Sequence, residues 1–349
     1  ISVVIPIRNE AAFILDTLDE LAAQNYPADQ FEVIIVDGDS DDGTVEKVER
    51  FIEDYYHFQL LHNPKRIASA ARNIGAHAAQ GDVVVIVDGH CQIRNPSFLA
   101  NIAEAFQESS ADVLGRPQPM DISNATILQR AVAATRNSRL GHHPESFIYS
   151  NQSGYVPARS VGVAYRRDVF KRIGYFDETF DAHEDGEFNY RCDQAGMRCW
   201  FTPKIAVTYY PRNTLTGLFF QMIRYGRGRI RILRKHPETF GLGSFLPLAF
   251  LVGLVIGLPL ILVHPVFMMI YLGCLAIYFT AALGIGVMAG LTSGSMAIAP
   301  LVPIVALVIH AGAGYGTLAE LLLGKRKWKI HYHEDHSLSL KPNFYLQNR

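Results

Sequence analysis

The feature that most constrains this chain is a long uncharged tract, residues 241–319, which contains no Asp, Glu, Lys or Arg. A helix that crosses a bilayer needs about 20 apolar residues, so the tract is long enough for three crossings. A fully buried apolar core is the alternative, and the length of the tract disfavours it. Breaks at His264-Pro265 and near 291–295 give three predicted segments, 243–263, 266–288 and 298–321.

The N-terminal half follows another pattern, in which β-branched runs alternate with helical periodicity. Residues 83–87 are all β-branched, as expected for a strand buried on both faces of a sheet. The alternation of strand and helix predicts an α/β fold, a mostly parallel sheet with flanking helices. The predicted strands are 2–7, 31–36, 58–62 and 83–87, and the predicted helices are 13–21, 67–79 and one that begins near Thr44.

The following elements are predicted in outline. Strands are expected at 111–115, 160–165 and 200–207, and helices at 99–106, 167–174 and 184–196. Residues 122–157 are predicted to form a loop or lid. This segment contains His142-His143, but adjacent histidines rarely chelate one ion, so a metal site is not favoured there.

Charge and cysteine content limit the classes of partner and compartment. A net charge of −1 argues against a polyanionic partner. The cysteines at 91, 192, 199 and 274 have no ligand-like or paired spacing, which predicts free thiols in a reducing compartment. The chain begins at Ile1, inside a predicted strand, so we expect a further N-terminal piece before it.

Three polar loops, 8–10, 37–44 and 88–90, follow predicted parallel strands and therefore leave the sheet at one edge. Open α/β sheets bind ligands at the carboxyl ends of their strands. The middle loop has four Asp in six residues, more than helix capping requires, although a solvated acidic turn is the simpler alternative. Gly89 would let backbone and ligand approach closely, although Asp-Gly is also common in ordinary turns.

Cations are available near this edge. Lys65 and Arg66 precede the Ala-rich helix, and Arg72 lies within it among Ala, Ile and Gly. A solvated surface arginine is the alternative for Arg72. The loops have no glycine-rich phosphate cradle, so a bound phosphate would be held by cations and a metal ion.

Several motifs occur in order along the first ~190 residues: Val4-Ile-Pro6 with Asn9-Glu10, Val36-Asp37 through Asp42-Gly-Thr44, Ala71-Arg-Asn-x-Gly75, and Gly81-Asp82 with Val87-Asp-Gly-His90. Together they resemble family 2 glycosyltransferases of the GT-A (Rossmann-like) fold. The resemblance implies that the first loops hold the nucleoside of a sugar nucleotide, and that Mg²⁺ or Mn²⁺ bridges its diphosphate. The donor-binding residues that it implies are Pro6, Arg8, Glu10, Asp37, Asp39, Lys65, Arg72, Asp88 and Gly89.

The chain departs from the family at the metal motif, where the second Asp of Asp-x-Asp is replaced by His90. We therefore expect Asp88 and His90 as metal ligands. Imidazole suits Mn²⁺ better than Mg²⁺. Donation from His90 to a phosphate oxygen is the alternative.

The catalytic base is expected at Glu184-Asp185, which opens a helix after Phe176-Asp-Glu178. Two acids at a helix start can be simple complements of the helix dipole. The family resemblance instead makes Asp185 the base that deprotonates the acceptor hydroxyl, with Glu184 binding the acceptor or supporting the site.

Leu215–Lys235 is predicted to be an amphipathic helix with a basic C-terminal half, lying on a membrane surface. Nucleic acid is the alternative partner, and the apolar face and the neighbouring apolar segments disfavour it. Gln221, Arg224 and Tyr225 are similar to the Q-x-x-R-W signature of membrane polysaccharide synthases, in which they face the acceptor and the diphosphate. Tyr225-Gly-x-Gly-Arg229 further resembles exopolysaccharide glucosyltransferases of the succinoglycan type.

The predicted organisation has four parts: a cytoplasmic GT-A domain (1–212), the interfacial helix (213–240), about three transmembrane segments (241–323) and a tail (324–349). Basic residues at 224–235 and 325–329 both favour the cytoplasmic side, which requires an even number of crossings. Three segments give an odd number, so either one segment is re-entrant or interfacial, or the tail lies outside.

The predicted function is that of a multi-pass inner-membrane inverting glycosyltransferase. It moves a sugar from a UDP-sugar to a lipid-linked or polymeric glycan in cell-surface polysaccharide synthesis. The alternatives are a processive synthase acting as a homo-oligomer, a non-catalytic nucleotide-binding subunit, and a phosphohydrolase that uses Asp88. All versions of the glycosyltransferase hypothesis require residues 37, 88–90, 185 and 224 to converge on one pyrophosphate.

Overall fold

The structure, a computed structural model, describes residues 1–142 and 146–324. Its centre is an eight-stranded sheet of order β3-β2-β1-β4-β8-β6-β9-β7, beside a two-stranded ribbon of β5 and β10. The strands are β1 (Ser2–Ile7), β2 (Glu32–Asp37), β3 (Phe58–His62), β4 (Val83–Ile86), β5 (Cys91–Gln92), β6 (Val113–Gly115), β7 (Gly154–Val156), β8 (Gly162–Arg166), β9 (Cys199–Phe201) and β10 (Thr208–Tyr209). His143 and the basic residues at 325–329, which entered the sequence predictions, lie outside the described residues.

Helices cover both faces of the sheet and continue into the C-terminal region. The α-helices are α1 (Ile14–Ala22), α2 (Thr44–Ile52), α3 (Ala68–Ala78), α4 (Phe98–Ser109), α5 (Ile127–Arg136), α6 (Ala158–Val161), α7 (Arg167–Ile173), α8 (Glu184–Gln194), α9 (Leu215–Lys235), α10 (Leu246–Leu260), α11 (Pro265–Ser293) and α12 (Leu301–Leu323).

The first four strands pair in parallel, as predicted. Their side chains alternate between two cores: Val3 and Ile5 pack in one core, while Val4 packs in the other. A strand buried on both faces needs an apolar residue at every position, which explains the unbroken run in β4. β8 is antiparallel to β4 and β6, so the sheet is mostly but not wholly parallel.

The structure corrects three predictions in the second half of the domain. The strand predicted at 200–207 is divided into β9, a 3₁₀ turn at Pro203–Ile205, and β10, because Pro203 lacks the N–H that a continuing strand requires. The strand predicted at 160–165 begins only at Gly162, after the short helix α6. The loop predicted at 122–157 contains α5 and β7.

The capping box of α5 was present in the sequence and overlooked. The side chain of Thr126 accepts from the backbone N–H of Gln129, and the side chain of Gln129 accepts in return from the backbone N–H of Thr126. The pattern Ser/Thr-x-x-Glu/Gln predicts a helix start without any tertiary information.

Helix α9 has the predicted bounds, and its apolar face has an unpredicted partner. Leu218 and Met222 are buried in a core with Ala131 of α5 and with Val302 and Ile309 of α12. The apolar face of α9 therefore contacts protein along this stretch.

In the described part of the chain, three helices are long and apolar enough to cross a membrane: Leu242–Leu260, Pro265–Ser293 and Leu301–Leu323. The three helices differ in burial. Within the most apolar 18-residue stretch of each helix, no residue is buried in the first helix, 6% are buried in the second and 50% in the third. The third helix is thus partly inside the protein. All four cysteines are free, as their spacing predicts.

Candidate active site

The three polar loops meet at the carboxyl edge of the parallel strands. The backbone N–H of Asn9 donates to Ser40 Oγ at 2.8 Å, and that of Glu10 donates to Thr44 Oγ1 at 2.8 Å. Thr17 Oγ1 donates to the carbonyl of Gly89 at 3.2 Å. Contacts between loops that are far apart in the chain give this edge one continuous surface.

Several carboxylates of the acidic loop bind groups of the loops themselves. The carboxylate of Asp37, which is 4% exposed, accepts from the backbone N–H of Ser40 at 3.0 Å and from its hydroxyl. Asp42 accepts from the backbone N–H of Ala11 at 3.0 Å. Asp39 pairs with Arg66. The excess of acids beyond capping is therefore partly explained by cross-loop bonds.

The backbone of these loops is unusual. Of the five non-glycine residues with positive φ in the described chain, four lie at this edge or beside it: Asn9 (57°), Asp39 (63°), Arg66 (58°) and His183 (66°). Such conformations cost of order 1–3 kcal/mol each and concentrate at functional sites.

Arg72 connects the two halves of the site. Its guanidinium lies 3.1 Å from Glu184 Oε1 and 3.8 Å from Asp88 Oδ1. Burial lowers the pKa of Arg72, but the negative charges of Glu184, Asp185 and Asp88 outweigh it and raise the pKa above its ordinary value. Arg72 is therefore a buried ion-pair partner rather than a solvated surface arginine. It places the predicted metal motif and the predicted base segment side by side.

Asp88 is held as a carboxylate. Tyr209, on β10, donates its hydroxyl to Asp88 Oδ2 at 2.6 Å. Burial raises the pKa of Asp88, while His90, Arg72 and the Tyr209 bond together lower it below its usual value. Sequence reasoning missed Tyr209, because only the pairing of β10 with β5 brings it next to Asp88.

His90 is oriented by Glu10, since its Nδ1 lies 2.7 Å from Glu10 Oε1. Burial lowers the pKa of His90, and Glu10 more than compensates, raising the pKa to about 9. A carboxylate on Nδ1 would fix the tautomer of a metal-ligating histidine and would leave Nε2 to the metal. The raised pKa favours the protonated ring until a metal binds, and that ring would donate to a phosphate oxygen.

The donor set for a metal ion is small. The described residues contain no group of three His, Cys, Asp or Glu that would hold a metal by itself. Asp88 and the Glu10-oriented His90 fit a divalent ion that takes its other ligands from water and a diphosphate, as Mg²⁺ sites in phosphate-binding proteins do.

Gly89 serves packing inside the protein. A Cβ at this position would lie 2.7 Å from Ile7 Cγ2 and 3.4 Å from Glu10 Cγ. The contact between this loop and β1 is a sufficient reason for a glycine here, and close approach of a ligand stays a prediction.

Several buried polar atoms around Asp88 have no partner. Of the six such side-chain atoms in the described residues, four belong to Glu10, Arg72 and Arg116, and the other two to His57. Arg116 is 2% exposed and has one hydrogen bond, which its Nη2 donates to the carbonyl of Ile86 at 3.3 Å. An unpaired buried polar group costs about 1–3 kcal/mol, so a cluster of them indicates a ligand site. Sequence reasoning missed Arg116, although it directly follows β6 at the ligand-binding edge.

The two acids at the start of α8 have different surroundings. Glu184 is 6% exposed and faces Arg72, and burial raises its pKa. Asp185 is exposed and accepts from the backbone N–H of Gly186 at 2.7 Å. Glu184 is therefore placed to support the site, and Asp185 is available to a substrate.

The remaining predicted donor residues lie around this edge. Lys65 pairs with Glu178, and Arg8 donates from Nη1 to the carbonyl of Arg66 at 3.3 Å. Pro6, in β1, is opposite Val36 of β2.

Helix α9 borders the base segment. Arg224 Nη2 donates to the carbonyl of Asp181 at 3.4 Å. Arg136, at the end of α5, donates to Gln221 Oε1 at 3.4 Å and lies 5.7 Å from the centre of the Tyr225 ring. The structure thus brings Gln221, Arg224 and Tyr225 to the side of the site that holds Asp185. Arg136 received no role from the sequence, because its helix was missed.

Replacing Arg72 with methionine tests the central ion pair. Arg72→Met leaves Asp88 and Glu184 facing each other without a cation, and we expect the free energy of unfolding to fall by about 3–5 kcal/mol. The loss should be greater at pH 8 than at pH 5, because the buried Glu184, whose pKa is raised, sheds its charge as the pH falls. Chemical denaturation of the purified protein measures both. Arg50→Met, at an exposed position on α2, is the matched control, and equal stability of the two variants would contradict the expectation.

Comparison with known proteins agrees with this geometry. Residues 2–174 match the profile of glycosyl transferase family 2. The chain is 32% identical over 327 residues to the succinoglycan biosynthesis protein ExoA of Rhizobium meliloti, covering 93% of this chain and 96% of ExoA. It is 26% identical over 233 residues to the glycosyltransferase AglE of Haloferax volcanii, covering 66% of this chain and 73% of AglE.

A solved structure supports the fold. The mannosyltransferase PcManGT from Pyrobaculum calidifontis, in complex with GDP-Man and Mn²⁺, superposes with a TM-score of 0.57 at 21% sequence identity. The match covers 93% of this chain and 87% of that one. With the family profile and the relative that spans nearly the whole sequence, the conclusion is that this chain belongs to glycosyl transferase family 2.

Proposed function

We propose that the protein is a membrane-bound inverting glycosyltransferase that moves a sugar from a UDP-sugar to a hydroxyl of a lipid-linked or polymeric glycan in exopolysaccharide synthesis. The observation that carries the proposal is the Arg72 guanidinium, 3.8 Å from Asp88 and 3.1 Å from Glu184. It joins a candidate diphosphate site to the segment that carries the candidate base, Asp185.

The donor would bind on the surface formed by the three loops. The unpaired Nε of Arg72 and the unpaired Nε and Nη1 of Arg116 support an anionic, oxygen-rich ligand there. The residues proposed to contact the donor are Pro6, Arg8, Glu10, Asp37, Asp39, Lys65, Arg72, Asp88 and Gly89. UDP is inferred from the family resemblance described above. The panel of nucleotide sugars described below would identify the sugar.

Asp88 and His90 would hold a divalent metal ion, Mn²⁺ or Mg²⁺. When bound, such an ion offsets the charge that develops on the leaving diphosphate. Glu10 orients the imidazole, and Tyr209 orients the carboxylate. Arg224, on the other side of the cleft, supplies a further positive charge toward the diphosphate.

The proton transfer is assigned to Asp185. Its exposed carboxylate takes the proton from the acceptor hydroxyl as the hydroxyl oxygen attacks the anomeric carbon. Glu184, buried against Arg72, fixes the start of α8 and therefore the position of Asp185. Gln221 and Tyr225 flank the acceptor.

We place the catalytic domain at the cytoplasmic face of the inner membrane, with α10 and α11 as the crossings. Helix α12 contacts the domain or α9 near its start, its middle and its end. Val302 packs in the core that contains Ala131, His310 Nε2 lies 2.8 Å from the carbonyl of Leu140, and Glu320 pairs with Arg227 of α9. A spanning helix would leave the domain at one end. With α12 in the interface the number of crossings is even, so both basic segments reach the cytoplasmic side, as the positive-inside rule favours.

Asp185→Asn is the principal test of activity. Purified wild type with metal should release UDP from one member of a nucleotide-sugar panel and yield a glycosylated lipid-linked acceptor by mass spectrometry. Loss of a general base lowers kcat by about 10²–10⁴-fold. Asp168→Asn, at an exposed acid on α7, should retain activity. Equal UDP release by wild type and Asp185→Asn would refute the base assignment.

The same assay separates the alternative functions. A non-catalytic nucleotide-binding subunit would bind UDP without turnover, and a phosphohydrolase would hydrolyse simple phosphate esters. Products that carry several added sugars would indicate a processive synthase.

His90→Asp tests the metal site. The substitution creates a pair of carboxylates, so the ratio of activity with Mn²⁺ to activity with Mg²⁺ should fall. His90→Ala should weaken activation by either ion. His57→Ala, at a half-buried histidine on another part of the domain, serves as the control. An unchanged metal preference in His90→Asp would argue that His90 donates to phosphate instead of binding metal.

The membrane placement is tested with reporters fused after Arg349. A reporter active only in the cytoplasm should be active, and one active only outside the cytoplasm should be inactive. Labelling of Gly324→Cys by a membrane-impermeant thiol reagent from the cytoplasmic side, in the Cys274→Ser background, gives the same information without a fusion. The opposite pattern would make α12 a third crossing.

A further inference from the structure

The first charged side chain after the uncharged tract is Glu320, and it is 1% exposed. It lies near the C-terminal end of the otherwise apolar helix α12. A carboxylate buried without a partner would be strongly destabilising, so its surroundings show what it is for.

Three arginines of α9 surround this carboxylate. Arg227 Nε lies 3.1 Å from Oε2, while Arg231 Nε and Arg234 Nη1 each lie 3.2 Å from Oε1. The spacing i, i+4, i+7 places all three on one side of α9. Without Glu320 these like charges would repel each other and the neighbouring helix end.

The two helices touch through their backbones. A Cβ on Gly316 would lie 2.1 Å from the carbonyl oxygen of Ile223, and a Cβ on Gly226 would lie 2.1 Å from that of Ala313. Contacts this close leave no free space between the helices, so α9 and α12 shift together.

Helix α9 also forms ion pairs with the segment that carries the base. Arg231 pairs with Asp181 through Nη1, in addition to Glu320. Lys235 Nζ lies 2.5 Å from Asp177 Oδ2 and 2.8 Å from Glu187 Oε1. These contacts flank Glu184 and Asp185 on both sides.

The same segment fits against a glycine of α9. A Cβ on Gly228 would lie 2.6 Å from the Cβ of His183. His183 is the left-handed residue that immediately precedes α8. The position of α9 therefore limits where α8 can begin.

We propose that Glu320 is a positioning residue for the catalytic base, acting through Arg231 and Asp181. The proposal rests on the function proposed above. Neutralising Glu320 removes the carboxylate that the three arginines share, so α9 shifts and the 181–185 segment follows. Displacement of a catalytic group by 1 Å can lower the rate by about 10²-fold.

Glu320→Gln is the first test, because glutamine preserves shape and removes charge. We expect kcat to fall by about 10²-fold. The KM for the nucleotide sugar should stay within about twofold, since the contacts described above place Glu320 beside α9 and the base segment rather than beside the donor loops. Glu104→Gln, which breaks a surface pair with Lys204, is the matched control and should retain both values. A wild-type kcat in Glu320→Gln would overturn the proposal.

Hydrogen exchange gives a readout that does not depend on turnover. Peptides covering 177–187 should exchange faster in Glu320→Gln than in wild type, with unchanged protection in β1 and β2. If wild type showed no transfer activity, the proposed function would fail, and this measurement would still test the coupling. Uniformly faster exchange across the domain would mean that Glu320 stabilises the fold only, and would overturn the proposal.

Arg231→Gln provides a second route if Glu320→Gln does not fold. It leaves Glu320 with Arg227 and Arg234 but breaks the connection to Asp181. The same selective loss of kcat is expected. Combining Asp181→Asn with Arg231→Gln should cost little beyond Arg231→Gln alone, because residues in one chain of contacts are not additive. Additive losses of kcat would contradict the proposed series of contacts from Glu320 through Arg231 to Asp181.

Discussion

The rest of the site depends on one buried guanidinium. Arg72 stands between two carboxylates that are nearly a hundred positions apart in the chain, and without it Asp88 and Glu184 would repel each other across a poorly solvated cleft. Its own position is fixed by α3, where a Cβ on Gly75 would lie 2.2 Å from Val4 Cγ1. Helix α3 therefore packs closely against the central strand β1. Ion pairs of this kind contribute little net stability, but removal of one partner is costly, so they hold geometry effectively.

Around this pair lie buried polar atoms that have no hydrogen-bond partner among the described residues. Arg116 has two buried nitrogens without partners, and Glu10 has one oxygen in the same condition. Asn9 and Asp39 hold left-handed backbone conformations nearby. Each feature alone has a small cost, and the surrounding sheet supplies the stability that tolerates them. Their concentration at the carboxyl edge of the strands separates this edge from the rest of the domain surface.

Sequence reasoning recovered what local patterns encode. It predicted the four parallel strands, the bounds of α9 and the convergence of Asp88 with the acids of α8, because β-branched runs, helical periodicity and ordered motifs are readable along the chain. It missed Tyr209, which reaches Asp88 only through pairing of two short strands, and Glu320, whose partners belong to another helix. It also did not anticipate that Ile7 leaves no room for a side chain at Gly89. Contacts between distant segments are not visible in a single sequence.

The start of α8 imposes a condition on how this chain can vary in length. Glu184 points to Arg72 and the adjacent Asp185 is exposed, although the two residues are similar in chemistry. What distinguishes them is the turn at His183, whose φ of 66° sets the phase of the helix. An insertion or deletion of one residue there would rotate the helix face by about 100°. A deletion would turn Asp185 to the inward direction that Glu184 now has, and an insertion would turn Glu184 to the outward direction of Asp185. This junction should therefore accept substitutions far more readily than changes in length.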